Sequence, residues 1–479
     1  MTDTTPEFDL AVIGSGGGAF AAAISATKLG KRVVMVERGT TGGTCVNTGC
    51  IPSKALLAAA GARHTTLTAH RFPGISSGAG SVDMEALIAG KRSLVEQLRT
   101  DKYVDLVREY GWDLRKGDAA FAGTADDPVL EIAGADGGRD TIRAQHYLVA
   151  SGSAPWIPSI EGLDDVEYLT STSAMELEEV PESLIIVGGG YVALEQAQLF
   201  SRLGSRVTML VRSRLASHEE PEAAQALMEI FGDEGIRVLH RAQIESVRTD
   251  PATGDVIVRA TGLGGRDEYS ATRLLIATGR RPVTRDLNLT GVGVKTGDQG
   301  EILVNAMLAS SNKRIWAAGD VTGHPEFVYV AAAHGSLVVD NAFGDAGRSV
   351  DYHHLPRVTF TSPNLAAVGM TDKQATAAGI RCECRVLPLE YVPRALVNRD
   401  TRGFIKIVAE AGTRRILGIT AVADNAGEIA AAGVYIVSAG MTVDQVANLW
   451  SPYLTMAEGI KIAAQAYTTD VSRLSCCAI

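Results

Sequence analysis

Gly42-Gly43-Thr44-Cys45-Val46-Asn47-Thr48-Gly49-Cys50-Ile51-Pro52-Ser53-Lys54 is the stretch on which the rest of the chain turns. Two cysteines stand with four residues between them, preceded by glycines and followed by a Pro-Ser-Lys turn into an apolar run. Proline is preset for the first turn of a helix, so a helix is predicted to start at or just before Pro52. Cys50 then falls at a helix N-terminus, where the backbone dipole and unpaired N–H groups favour a thiolate. Cys45 lies one loop away, within disulfide reach. A structural disulfide or a buried thiol pair is the plainer alternative. A glycine-rich loop opening a helix suits a reactive pair better than an inert one.

Outward from this stretch, the totals set limits. At 479 residues the chain is too long for one core and predicts two to four domains. Hydrophobic residues make up 46% and charged residues 21%, ordinary for a globular enzyme. A net charge of −10 argues against a nucleic-acid binder. No run of about 18 apolar residues suggests a membrane span, and MTDTTPEFDL has neither the basic flank nor the apolar centre of a signal peptide. The expected compartment is the cytoplasm. Six cysteines in so long a chain make no disulfide scaffold, and in a reducing compartment such pairs are usually catalytic or metal-binding.

Upstream of the cysteines, residues 8–13 read as a strand, followed by Gly14-Ser15-Gly16-Gly17-Gly18-Ala19, an alanine-rich helix, and a second strand closed by Glu37. In such a βαβ unit the glycines let backbone N–H groups approach a pyrophosphate at the helix N-terminus, and the acid accepts hydrogen bonds from a ribose diol. The pattern recurs downstream. Residues 184–187 form a strand, Gly188-Gly189-Gly190-Tyr191-Val192-Ala193 opens a helix, and residues 206–210 form the next strand. The position equivalent to Glu37 is Val211, followed by Arg212, Ser213 and Arg214. An acid there would repel a 2′-phosphate, whereas arginine forks bind one, so Arg212 and Arg214 predict NADPH at this second site. Solvated loop charges are the alternative. Between the two units, residues 83–110 read as one long helix or a broken pair.

The stretch 42–54 closely resembles the redox-active signature of the flavoprotein disulfide reductases, the family of glutathione reductase and dihydrolipoamide dehydrogenase, and the resemblance runs the whole chain. It implies an α/β fold of two Rossmann-like dinucleotide-binding domains, glutathione reductase-like, plus a C-terminal α+β dimerisation domain. The expected boundaries are an FAD-binding domain at 1–152 and 280–349, an NADPH-binding domain at 153–279, and a dimerisation domain at 350–479. FAD is then expected on Gly14, Gly16, Gly17, Gly18, Ala19 and Glu37, with Gly43, Thr44, Cys45 and Lys54 beside it. Residues 142–152, ending in Ser151 and Gly152, resemble the marker at the edge of the FAD domain, and residues 273–281, with Gly279 and Arg280, resemble the return to it. Asp320 matches an acid used on the ribityl or pyrophosphate region, with a plain helix cap as the alternative. NADPH is expected on Gly188, Gly190, Tyr191, Arg212 and Arg214, with Tyr191 as a lid over the nicotinamide pocket. The match pairs Glu195 with Lys54.

From about residue 349 alternating segments read as antiparallel strands, followed by helices at 426–439 and 455–467. Cys382 and Cys384 lie two apart on one strand and so share a face. A metal site is conceivable there, but ordinary strand residues are the preferred reading. Residues 451–459 (SPYLTMAEG) depart from the family members that reduce organic disulfides. Those carry a His-Pro pair followed by a glutamate that orients the imidazole. Here Pro452 and Glu458 remain, but Tyr453 follows the proline, and no histidine occurs after His354. A phenol, ordinarily near pKa 10, shuttles protons poorly at neutral pH.

The chain ends in Leu474-Ser475-Cys476-Cys477-Ala478-Ile479, a vicinal pair suited to a soft metal ion. The mercury-reducing branch of the family carries such a pair and a tyrosine in place of the histidine. The resemblance therefore implies a homodimer reducing Hg(II) to elemental mercury with FAD and NADPH. Cys476 and Cys477 of the partner subunit would take Hg(II) from thiol complexes and pass it to Cys45 and Cys50, with Tyr191 and Tyr453 flanking the path and Cys50 nearer the flavin. The extra N-terminal metal-binding domain often found in that branch is not expected, since the flavin fold begins at residue 8. An NADPH-dependent disulfide reductase for another substrate is the alternative enzyme. A mercury-sequestering protein with a structural flavin is the alternative from another class.

Overall fold

The computed structural model describes residues 6–262, 265–344 and 346–473, in two compact units. The first comprises Met1–Ala55, Ala86–Trp156 and Gly279–Val350; the second comprises Leu56–Glu85, Ile157–Thr278 and Asp351–Ile479.

In the first unit, five parallel strands run in the order Ile315–Ala317, Ala144–Val149, Phe8–Ile13, Val33–Glu37 and Asp113–Lys116. Both faces of this sheet are covered, which is why its inner strands Phe8–Ile13 and Val33–Glu37 are mainly apolar, while the edge strand Asp113–Lys116 carries charge. Leu10, Val12, Val33, Met35 and Leu148 face one side, packed on the alanines of helix Gly17–Lys28 and on Leu337 and Val338 of helix Val328–Gly344. Ala11, Ile13, Val34, Val36 and Val149 face the other, on Phe121, Leu130 and Ile132 of the antiparallel sheet Asp118–Gly123, Pro128–Ala133 and Arg139–Ile142. The segment predicted as one helix or a broken pair is continuous: Met84–Arg99 passes through a π-turn at Thr100–Val104 into Asp105–Tyr110, and left-handed Gly111 ends it.

The second unit repeats this plan. Four parallel strands run Arg237–His240, Arg206–Val211, Ser183–Val187 and Arg273–Ile276. A meander of Gln243–Thr249, Val256–Gly262 and Gly265–Ala271 covers one face through Val247, Val256 and Val258. The same unit carries a five-stranded antiparallel sheet, ordered Pro356–Thr359, Asn364–Gly369, Ile416–Ala423, Phe404–Glu410 and Cys382–Pro388, with helix Ala426–Ser438 against it. The last predicted helix is shorter than expected at both ends and spans Glu458–Gln465, preceded by a turn in which Leu454 is left-handed (φ 61°).

A buried ion cluster ties the antiparallel sheet to the nucleotide-binding half of this unit. Lys406, fully buried, reaches Glu220 at 3.0 Å, Glu222 at 2.8 Å and Asp372 at 3.0 Å. Burial by itself would lower the Lys406 pKa, but the hydrogen bonds its ammonium donates to the three carboxylates raise it, so it stays charged.

Candidate active site

Helix Cys50–Leu67 starts on Cys50 itself, two residues before Pro52, so Cys50 does occupy a helix N-terminus. Cys45 sits in the short helix Gly43–Asn47, and the turn between them folds back tightly. A β-carbon on Gly49 would lie 2.9 Å from the Thr44 carbonyl oxygen and 3.3 Å from the Cys45 α-carbon, so only glycine lets the two cysteines approach. The Cys45 thiol hydrogen-bonds the Cys50 side chain, which with burial and the Cys50 charge pushes its pKa up, against the opposing pull of the Cys50 backbone N–H and the Lys54 ammonium. Lys54, one helical turn beyond Cys50, supplies the positive charge. Tyr103 was not anticipated from the sequence. It stands close enough that the charges of Cys45 and Cys50 add to burial in raising its pKa. Nothing in residues 83–110 marks it, because its position follows from the π-turn.

The dithiol segment is joined to the first glycine turn: the Gly42 N–H lies 3.1 Å from both the Ser15 carbonyl oxygen and its hydroxyl. In that turn Gly14 (φ +104°) would place a β-carbon 2.5 Å from the Ala150 carbonyl oxygen. In the second turn Gly188 (φ +140°) would do the same 2.2 Å from Ala277. The two turns are one structural solution used twice. The helices they open have Gly16 and Gly190 as N-caps, with no side chain capping either, so both N-termini present backbone donors suited to a pyrophosphate. A β-carbon at Gly190 would meet nothing within 4 Å, which is the room a dinucleotide needs. Glu37 ends its strand with its carboxylate fixed by the Ser15 hydroxyl at 2.6 Å and the Gly39 N–H at 2.7 Å, leaving acceptor capacity for a ribose diol. The residues present fit an adenine dinucleotide at each turn.

Asp320, Arg280 and the 151–153 turn come together in the first unit. Ser153 donates to Asp320 at 2.7 Å, and Arg280 donates to the Ser153 hydroxyl at 2.7 Å and to its carbonyl at 2.6 Å. Ser151 donates to the Val283 carbonyl at 2.7 Å, the Val283 N–H bonds the Gly152 carbonyl, and the Trp156 N–H bonds that of Gly279. Asp320 is therefore more than a helix cap. Ser153, the link in this chain, was missed because it lies one residue past the marker turn.

In the second unit the two arginines differ. Arg212 is exposed, whereas the Arg214 guanidinium is spent on the carbonyls of Ser217, Glu219 and Glu220 and orders its own loop. Tyr191 opens its helix as expected, and its hydroxyl donates to buried Glu219 at 2.8 Å, which Arg357 holds at 2.7 and 2.9 Å. Glu219 and Arg357 are 138 residues apart, so no local signal pointed to them. Glu195 is buried, and its carboxylate accepts the Phe360 N–H at 2.9 Å. It belongs to the second unit and Lys54 to the first.

Tyr453 is half exposed on the loop before helix Glu458–Gln465. Glu458 is buried, which raises its carboxyl pKa, and it accepts the Leu454 N–H at 3.1 Å. Cys476 and Cys477 lie outside the described residues.

A fold of two dinucleotide units, with a dithiol joined to the first, defines a class: the chain belongs to the pyridine nucleotide-disulphide oxidoreductase family, which matches residues 8–335, while the family's dimerisation domain matches residues 355–464. The flavoprotein disulfide reductase RclA of Escherichia coli, as its Cu(II) complex, superposes with a TM-score of 0.85 at 27% identity, covering 96% of this chain and all of that one. LpdA of Mycobacterium tuberculosis does so at 0.85 and 25%, over 96% of this chain and all of its own. Within the family the chain groups with the mercuric reductases. It is 59% identical to that of Streptomyces lividans over 98% of both chains, and 44% identical to that of Staphylococcus aureus over 98% of this chain and 84% of that one. Among the described residues no helix is long and apolar enough to cross a membrane.

Proposed function

We propose that this protein reduces Hg(II) to elemental mercury at the expense of NADPH, with FAD between them, as a cytoplasmic homodimer whose active site is completed by the partner subunit. The observation that carries the reading is the loop 451–458. By the resemblance Tyr453 takes the place of the imidazole of relatives acting on organic disulfides, and Glu458, the carboxylate that would orient that imidazole, instead accepts the Leu454 N–H. Thiol–disulfide exchange needs a proton shuttle there; exchange of a soft cation between thiolates does not.

When bound at the first glycine turn, FAD would supply the two-electron relay between the nicotinamide and the substrate. Around it, Lys54 would fix positive charge beside the dithiol, and Tyr191, tethered by Glu219 and Arg357, would cover the nicotinamide side. Arg212, exposed past the second turn, would hold the 2′-phosphate of NADPH. Hg(II) arrives as a bis-thiolate, is taken by Cys476 and Cys477 of the partner subunit, and passes to Cys45 and Cys50 with one Hg–S bond formed for each one broken. At each exchange, a proton displaced from an incoming cysteine goes to the thiolate that departs. Two electrons convert bound Hg(II) to neutral mercury, which no longer holds thiolates and leaves, while the dithiol is regenerated unchanged in oxidation state.

NADPH oxidation with Hg(II) in excess monothiol, alongside lipoamide and glutathione disulfide, tests the reading. Mercury vapour with Hg(II) and slow turnover of both disulfides is expected. Fast disulfide reduction without vapour would overturn it in favour of the other reductase. Truncation after Ser475 is expected to impair reduction of thiol-chelated Hg(II), and unchanged turnover would remove the hand-over by the tail.

A further inference from the structure

Cys382 and Cys384 take no part in this chemistry, and they are arranged for more than filling a strand. They lie on Cys382–Pro388, the edge strand of the five-stranded sheet, which among the described residues pairs only with Phe404–Glu410. Residues two apart on a strand share a face, and here the Cys384 and Cys382 sulfurs stand 4.0 Å apart. Both are half-buried over a small apolar patch of Ala375, Val408 and Leu417, with the Met370 thioether packed on the same patch. The Tyr467 hydroxyl lies 2.8 Å from the Glu383 carbonyl and 2.9 Å from that of Ile407, which pins the strand at the residue between the two cysteines.

The donor set selects the ligand. Hard cations need about six oxygens, and structural zinc needs four ligands. Among the described residues no group of three His, Cys, Asp or Glu is placed to hold a metal. Two sulfurs suit a soft cation that accepts two-coordination. With metal–sulfur bonds of roughly 2.3 Å, a near-linear S–M–S unit spans about 4.6 Å, a small rotamer adjustment from the observed separation. Cα atoms two apart on an extended strand are about 6.6 Å apart, near the upper limit for a disulfide, so bridging by a metal is less strained than bridging by a direct bond.

We propose that Cys382 and Cys384 form a second thiophilic-ion site, an edge-strand dithiol that captures Hg(II) outside the electron-transfer path. The choice of Hg(II) as the ion met by the protein rests on the function proposed above. Hg(II) that reaches the pair is already bound to thiols, so capture is a ligand exchange. A bis-thiolate of Hg(II) reacts with the two thiols: two Hg–S bonds to the carrier break, two form to the protein, each cysteine proton goes to a departing thiolate, and no electron moves.

The test uses the full-length flavin-loaded protein with Cys45, Cys50, Cys476 and Cys477 all replaced by serine. Hg(II) is added as its complex with excess 2-mercaptoethanol, followed by gel filtration and metal counting. One mercury per chain is expected to be retained, because two tethered thiols act at an effective concentration of about millimolar or more. Cys382→Ser or Cys384→Ser in this background should cut retention at least about tenfold, and iodoacetamide should label two thiols without mercury and none with it. No retention, retention indifferent to both serine variants, or recovery of the pair as a disulfide would overturn the proposal. This background cannot reduce mercury, so the outcome stands apart from the turnover assay, and failure of either leaves the other readable.

Discussion

Arg212 and Arg214 are chemically alike and two residues apart, yet the fold gives them different work. Arg214 is tied to three carbonyls of its loop, and Arg212 is exposed. A charge-assisted contact to a phosphate is worth about 1.5–3 kcal/mol. Arg212→Ala should therefore raise the KM for NADPH about ten- to a hundredfold and leave that for NADH unchanged. Arg214→Ala should instead loosen residues 217–220 and weaken both nucleotides alike. Steady-state kinetics with both cofactors decides this; equal effects of Arg212→Ala on the two would sink the 2′-phosphate assignment. From the sequence the arginines formed one motif. The direction of each side chain was not legible, because it depends on where the following turn places its carbonyls.

At the scale of elements, the short helix that carries Cys45 and the long helix that starts on Cys50 are held in register by one turn. Their existence was legible: a glycine-rich approach and Pro52 mark a helix start to within two residues. The need for glycine at position 49 was not, because the obstruction is the Thr44 carbonyl folded back over it. Gly49→Ala forces a contact of 2.9 Å and should cost about 1–3 kcal/mol locally. We expect it to lower Hg(II) reduction while the nucleotide turns, built on Gly14 and Gly188, keep their affinity. Thiol alkylation rates and NADPH binding measured side by side check this, and wild-type alkylation would show that the turn tolerates the methyl group. The π-turn that brings Tyr103 to the same place left no trace in the sequence, since one extra residue in a helical turn changes neither composition nor periodicity noticeably.

On the scale of the whole molecule, the second unit joins residues 157–278 to residues 351–479, and Lys406 is the anchor between them. Removing one partner from a buried charge cluster leaves the others uncompensated, at a cost of about 3–5 kcal/mol. Lys406→Met should lower the urea midpoint accordingly, and restoring balance with Glu220→Gln in the same chain should recover part of the loss. A Lys406→Met midpoint equal to wild type would mean the cluster contributes only orientation. Local pattern was enough to determine two βαβ units, a reactive cysteine pair, an antiparallel C-terminal sheet and a loop without an imidazole, because glycine turns, strand periodicity and the reach of a helix N-terminus act over a few residues. The tertiary structure alone decided the partners of Tyr191, Asp320 and Lys406, the separation of Arg212 from Arg214, and the 4.0 Å approach of Cys384 to Cys382. Burial and directional hydrogen bonds between residues distant in the chain, or side-chain rotamers set by packing, fix these, and neither is written in local spacing.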